Sequence, residues 1–197
     1  MHALITGITG FAGSYLTEYL LAQGDIDVYG LGLPQAGPGH VAHLLDRIHL
    51  FTGSLNDADW ARQILADTRP DYIFHLAAQA STPVAVADPA GTLIPNILGQ
   101  LNILQGCVTL GLDPVVLIVG SGDVYGQVKP EDLPLTEDTP FRPTNPYAVS
   151  KIAQDMMGLQ YYLSHQLRCV RVRPFNHIGP RQGDAFVVAS FARQIAE

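Results

Sequence analysis

Charge is scarce in this chain. Only 15% of its 197 residues are Asp, Glu, Lys or Arg, and 11 basic residues face 18 acidic ones, leaving a net charge of −7. An ordinary soluble domain carries about 25% charged residues. The shortage of positive charge argues against an extended nucleic-acid-binding face, so an anionic ligand has to be held by local groups. Cysteine is nearly absent too. Cys107 and Cys169 lie far apart in no metal or redox spacing, and they read as small hydrophobes of a reducing, cytoplasmic protein. No apolar run reaches the length of a membrane span, so no membrane partner is expected. His40, His43 and His49 lack a spaced third ligand or a neighbouring carboxylate, and they read as surface histidines rather than a metal site.

What is present is concentrated at the start. Ala3 to Thr6 is a short apolar run that breaks into Gly7-Ile8-Thr9-Gly10-Phe11-Ala12-Gly13-Ser14 and then into a helical pattern, Tyr15 to Leu21. An uncharged strand, a glycine turn and a helix in that order form a phosphate cradle. Glycines take backbone angles that side chains forbid and let the main chain approach a pyrophosphate, while the helix N-terminus presents free N–H groups. No lysine follows the glycines, which excludes a Walker-type nucleotide loop.

Strand and helix patterns alternate along the rest of the chain. Strands are expected over Asp27–Leu33, Ile48–Thr52, Tyr72–Leu76, Val115–Val119 and Arg168–Arg173. Helices are expected over His40–Arg47, from an Asn56-Asp57 cap to about Asp67, from about Pro89 to Gly111, over Pro146–His165 and from Ala185 onward. Pro95 should start the long helix near Gly91 or kink it. This alternation gives an α/β fold, a doubly wound parallel sheet of Rossmann type between two helix layers. The length suits one domain. Where an acid would bind the ribose 2′-hydroxyl of NAD, or an arginine the 2′-phosphate of NADP, stand Leu31, Gly32, Leu33 and Pro34, so the choice between NAD and NADP stays open. Asn96, polar in an apolar setting, is expected to bond backbone near the site. The proline-rich stretch from Gln127 to Asn145 is long enough for a lid or a dimer contact.

The chemistry converges on two strand ends and one helix start. Leu76, Ala77 and Ala78 are small enough to leave room for a cofactor across the sheet edge. The next strand end delivers Ser121 and Asp123, and Tyr147 and Lys151 share one face at a helix start. An unperturbed tyrosine titrates near pH 10, and an adjacent ammonium should favour its phenolate. Ser121 can hydrogen-bond the same substrate oxygen, which makes a proton relay beside a dinucleotide.

Through TGITGFAGS, HLAAQAS, NPYAVSK and RPFNHIGPRQ, essentially the whole chain resembles the extended short-chain dehydrogenases/reductases acting on nucleotide sugars. This is the NAD-dependent epimerase/dehydratase family. Within it, the PYAVSK context and the last motif are most similar to GDP-4-keto-6-deoxy-D-mannose reductases, with GDP-mannose 4,6-dehydratases next. The resemblance implies that Tyr147 is the acid/base, that Lys151 lowers its pKa and binds the nicotinamide ribose, and that Ser121 orients the substrate oxygen. It implies cofactor contacts from Gly7, Thr9, Gly10, Phe11, Ala12, Ser54, Leu55, Leu76, Ala77, Ala78 and Pro174. Ser81, Asn176 and Arg181 are implied on the nucleotide-sugar side, and a homodimer through the two long helices is implied as well. Three positions depart from the pattern. Asp123 stands where dehydratases carry a longer glutamate, which ranks reduction or epimerisation above dehydration. Ser54 replaces an expected adenine-contacting acid. The family's length implies a substrate-binding region that starts after about residue 174 and extends past Glu197. A non-catalytic NAD(P)-sensing module or an inactive fragment is the alternative of a different class.

Overall fold

The computed structural model describes residues 1–197. Six strands, β1 (His2–Thr6), β2 (Asp27–Gly32), β3 (His49–Thr52), β4 (Tyr72–His75), β5 (Val115–Val119) and β6 (Cys169–Val172), form one sheet in the order β3-β2-β1-β4-β5-β6. Every pairing is parallel, with Ala3 opposite both Val28 and Tyr72. The order therefore reverses between β1 and β4, and the crevice where open α/β sheets take their ligands lies beyond the carboxyl ends of those two strands.

Alternation along β1 explains the layers. Successive residues of a strand point to opposite faces. Leu4 enters a core with Ile64, Leu65, Ile103, Leu104 and Tyr161, supplied by α2 (Ala58–Thr68), α4 (Pro89–Thr109) and α5 (Pro146–His165). Ala3 and Ile5 enter a second core with Leu20, Val28, Val41 and Leu44, under α1 (Phe11–Gln23). Leu4, Ile5 and Ile73 have no exposed surface, and burying each such side chain contributes about 1.5–3 kcal/mol. The centre of the sheet is therefore a stiff platform for the loops at its edge.

Element bounds differ from the expectations at a few places. The stretch expected as a helix over His40–Arg47 is instead a 3₁₀ segment, Gly39–Leu44, followed by turn, and a shorter 3₁₀ turn, Pro34–Ala36, is set off from it by positive φ at Gly37 and Gly39. β2 ends at Gly32 and β6 covers only Cys169–Val172. A helix not expected, α3 (Thr82–Ala87), precedes α4. Its six residues show no apolar period. α4 begins at Pro89 rather than Gly91 and continues through Pro95, since Asp88 caps its start by accepting from Gly91 N. Asp57 alone caps α2, accepting from Asp59 N and Trp60 N at 3.0 Å each. The last helix, α6, covers Val187–Ala196.

Candidate active site

The glycine turn is built by what its side chains would strike. Gly7 adopts φ +71°, and a Cβ there would lie 3.0 Å from the Ala77 backbone. A Cβ at Gly13 would come within 2.4 Å of Gly7 O and 2.7 Å of Ile8 Cα, so α1 rests directly on the turn. Gly10 caps α1 without a side-chain bond, and the first N–H groups of a helix have no intrahelical partners. These N–H groups face the crevice between β1 and β4. Gly7, Thr9, Gly10, Phe11 and Ala12, the residues expected to contact a dinucleotide, all lie on this turn and the first residues of α1.

The opposite wall is fixed by polar groups that the sequence reading passed over. Thr6 Oγ1 accepts from Ala77 N at 3.0 Å and lies 3.0 Å from His75 Nδ1. His75 Nε2 lies 3.3 Å from Gln154 Nε2, which can only donate, so the ring carries its proton on Nδ1 and donates to Thr6. Burial and the charge of Lys151 push the His75 pKa down to about 3. The ring is neutral, and the row from α5 to β1 holds Leu76, Ala77 and Ala78 in place. Asn96 behaves as expected: it accepts from Gln79 N at 2.8 Å and donates to Gln79 O and to Ser150 Oγ. Ser150 Oγ in turn donates to Tyr147 O. Ser81 is the N-cap of α3 and makes no side-chain capping bond. After β3, Ser54 Oγ accepts from Asn56 N, while Leu55 O accepts from Asn102 Nδ2.

Tyr147 and Lys151 stand at the start of α5, where Asn145 accepts from Ala148 N at 2.8 Å and Pro146 occupies the first turn. Lys151 is buried, and its Nζ donates to Val119 O at 2.8 Å. Burial lowers its pKa to about 8. The Tyr147 phenol stands above its ordinary value, because burial outweighs a hydrogen bond with Ser121 and the Asp123 carboxylate adds to the rise. The expected lowering by Lys151 is not among the influences on the phenol in this structure. The ammonium lies 5.8 Å from the phenol ring centroid and is turned to the Val119 carbonyl. At neutral pH the phenol keeps its proton. Ser121 also accepts from Asp123 N at 3.1 Å, so the serine organises the turn that carries both residues.

The segment after β6 closes on α1. His177 stacks on Phe11 at 6.1 Å, and Tyr15 Oη donates to Pro180 O. Arg181 pairs with Glu18 at 2.9 Å and lies 4.5 Å over the Tyr15 ring. Arg181 therefore sits against α1 in this structure, while Asn176 is exposed and Pro174 O accepts from Gly122 N. Sequence reasoning missed Asp155. It lies four residues beyond Lys151 on the same face of α5 and is 1% exposed, with Arg171 and Arg173 paired to it. The i, i+4, i+8 run Tyr147, Lys151, Asp155 was the available signal.

Comparison with known proteins places these features in one context. A family profile described as GDP-mannose 4,6 dehydratase matches residues 4–197. The chain is 43% identical over 192 residues to a GDP-6-deoxy-D-mannose reductase of Pseudomonas aeruginosa, covering 98% of this chain and 57% of that protein. It superposes on RMD from Pseudomonas aeruginosa complexed with NADPH at TM-score 0.82 and 39% identity, covering 99% of this chain and 59% of the other. A UDP-glucose 4-epimerase of Thermus thermophilus in complex with NAD gives TM-score 0.88 and 36% identity, over 98% of this chain and 61% of that one. The chain thus spans somewhat more than half the length of these relatives.

Proposed function

The chain belongs to the GDP-mannose 4,6-dehydratase family, and from that premise we propose that the full-length protein is an NAD(P)-dependent nucleotide-sugar oxidoreductase. Its reaction is reduction of the C4 ketone of a nucleotide-linked 4-keto-6-deoxyhexose such as GDP-4-keto-6-deoxymannose. Residues 1–197 are its dinucleotide-binding domain, and most of its substrate-binding region lies beyond them. The bound dinucleotide would supply hydride to the ketone carbon. Tyr147 then gives its proton to the ketone oxygen as negative charge develops there, and Ser121 donates a second hydrogen bond that holds the oxygen in place. Lys151, still cationic below its pKa of about 8, adds positive charge on the phenol side. Asn176 and Ser81 stand where a sugar nucleotide would be gripped.

The observation that carries this reading is the Tyr147 phenol at the start of α5, with the buried Lys151 ammonium 5.8 Å from its ring centroid. A reductase needs a proton donor at this point. Asp123, one methylene shorter than the glutamate of the dehydratases, stands close enough to act on the phenol but reaches less far toward substrate. The similarity to the Thermus thermophilus 4-epimerase supports a second reading, in which the cofactor stays bound and no net redox change occurs. The cofactor is NAD or NADP, with NADPH favoured by the Pseudomonas aeruginosa complex. The subunits pair through α4 and α5, whose outward faces expose Ile94, Leu98, Val149 and Met156. No helix is long and apolar enough to cross a membrane, and a reducing cytoplasm suits the free Cys107 and Cys169.

The test is mass spectrometry of products from GDP-4-keto-6-deoxymannose and from GDP-mannose, each with NADPH or NADH. A gain of about two mass units on the keto sugar is expected for hydride plus proton. Loss of water from GDP-mannose would replace this reading with dehydration.

A further inference from the structure

The groups assigned to the reaction come from two separate pieces of chain, and a third piece joins them. Ser121 and Asp123 lie on the turn after β5, while Tyr147 and Lys151 lie on α5. β6 runs beside both. Its last residue bonds the turn through backbone, Gly120 N donating to Val172 O at 2.7 Å, and Gly122 N donates to Pro174 O at 2.8 Å. Between those two carbonyls stands Arg173, and its guanidinium reaches every neighbouring piece. Nε donates to Asp155 Oδ2 at 2.8 Å and Nη2 to Asp155 Oδ1 at 3.2 Å, a two-pronged grip on α5. Nη1 donates to Tyr125 Oη at 3.1 Å and to Glu137 O at 2.7 Å. The guanidinium lies 4.6 Å over the Phe141 ring.

Such a fork is specific to arginine. A planar guanidinium offers donors along two edges at once, whereas an ammonium is a point charge that cannot hold a carboxylate and a phenol in one fixed geometry. Asp155 is nearly sealed from solvent, and Arg171 Nη1 also donates to it at 2.6 Å. The carboxylate is thus anchored from β6 by two cations. Tyr125 is buried and lies two residues beyond Asp123. The 127–145 stretch is tied to the same place, since Arg142 N donates to Val124 O at 2.9 Å.

We infer that Arg173, acting with Asp155 and Tyr125, is a positioning residue for the reaction: it sets the distance between the Ser121 turn and the Tyr147 helix. It touches none of the reacting groups. The inference rests on the functional reading above only for the choice of activity assay. Displacement of a catalytic group by about 1 Å costs up to about a hundredfold in rate, and a loosened turn would move Ser121 by that order while leaving the glycine cradle untouched.

The experiment uses the full-length protein with Arg173→Lys, which keeps a cation beside Asp155, and Tyr125→Phe, which keeps the ring and removes one hydroxyl. Turnover is followed with whichever of reduction, epimerisation or dehydration the wild type performs. Arg173→Lys is expected to lower kcat about tenfold to a hundredfold, with KM and dinucleotide Kd within about twofold, and Tyr125→Phe to lower kcat by less. In a Ser121→Ala background the effect of Arg173→Lys shrinks below about twofold, because both changes act through one hydroxyl. Amide exchange quickens at Val124, Gly126 and Arg142 but not at Ile5 or Ile73. Unchanged kcat in both variants, or an undiminished effect in the Ser121→Ala background, overturns the inference. A wild type inert in all three reactions overturns the functional reading alone. Exchange then decides this inference, with unchanged rates around Val124 rejecting it and selective quickening supporting it. If Arg173→Lys does not fold, Tyr125→Phe gives the same decision.

Discussion

The two walls of the crevice are made in opposite ways. On the β1–α1 side the site is formed by missing atoms: Gly7 and Gly13 leave room where a Cβ would press on backbone, and the groups offered at the start of α1 are main-chain N–H. On the β5–β6–α5 side it is formed by buried polar side chains, Lys151, Gln154 and Asp155 on one helix, each with a named partner. A wall of backbone cannot be tuned by substitution, only blocked. A wall of side chains can lose its chemistry and keep its shape. The first kind suits a ligand part that is always the same, and the second suits the part where one reaction differs from another.

Three substitutions or titrations separate the walls. Tyr147→Phe should lower turnover about 10²–10⁴-fold while dinucleotide affinity, measured by fluorescence titration, stays as in the wild type. Retained turnover would remove the acid role from Tyr147. Gly13→Ala should act in the reverse sense. Its Cβ, 2.4 Å from Gly7 O, forces α1 off the turn at a cost of about 1–3 kcal/mol, and the dinucleotide should bind about ten to a hundred times more weakly. An unchanged Kd would show that the cradle has slack. The smallest effect is in pH. Burial holds Lys151 near 8 instead of 10.5, so the cation is lost as pH rises through about 8, and kcat should fall up to about tenfold per unit above it. Stability runs the other way. Between about 8 and 10.5 the folded protein binds fewer protons at this amine than the unfolded chain, so the contribution of Lys151 to stability rises with pH in that window. Thermal unfolding at pH 8 and pH 10 in wild type and Lys151→Met isolates that contribution, and no difference between the two would place the amine in water.

The wall made of missing atoms was legible in the sequence and much of the other was not. Glycine spacing, strand alternation and the Tyr147/Lys151 pair are local patterns, each contained within a few residues. Strand positions followed from the same kind of signal and came out within one or two residues. Asp155 and Arg173 are 18 residues apart, and the helical spacing from Lys151 puts the carboxylate on that face of α5 without revealing the two arginines that pair with it. His75 was seen only as the end of a strand, since its partners Thr6 and Gln154 lie 69 and 79 residues away. The reading of Tyr147 as a lowered pKa left out burial for a similar reason. It weighed the neighbour four residues on and could not weigh the burial of the phenol.

The strand order carries a consequence in time. The glycine turn lies within residues 7–13 and the end of β4 beside it is complete by Ala78, so both emerge from the ribosome well before Tyr147. Translation at about 5–20 residues per second makes that interval several seconds. With β1, β2 and β4 already in hand, the growing chain has the glycine turn and the strand edge beside it before it has Tyr147 or Lys151.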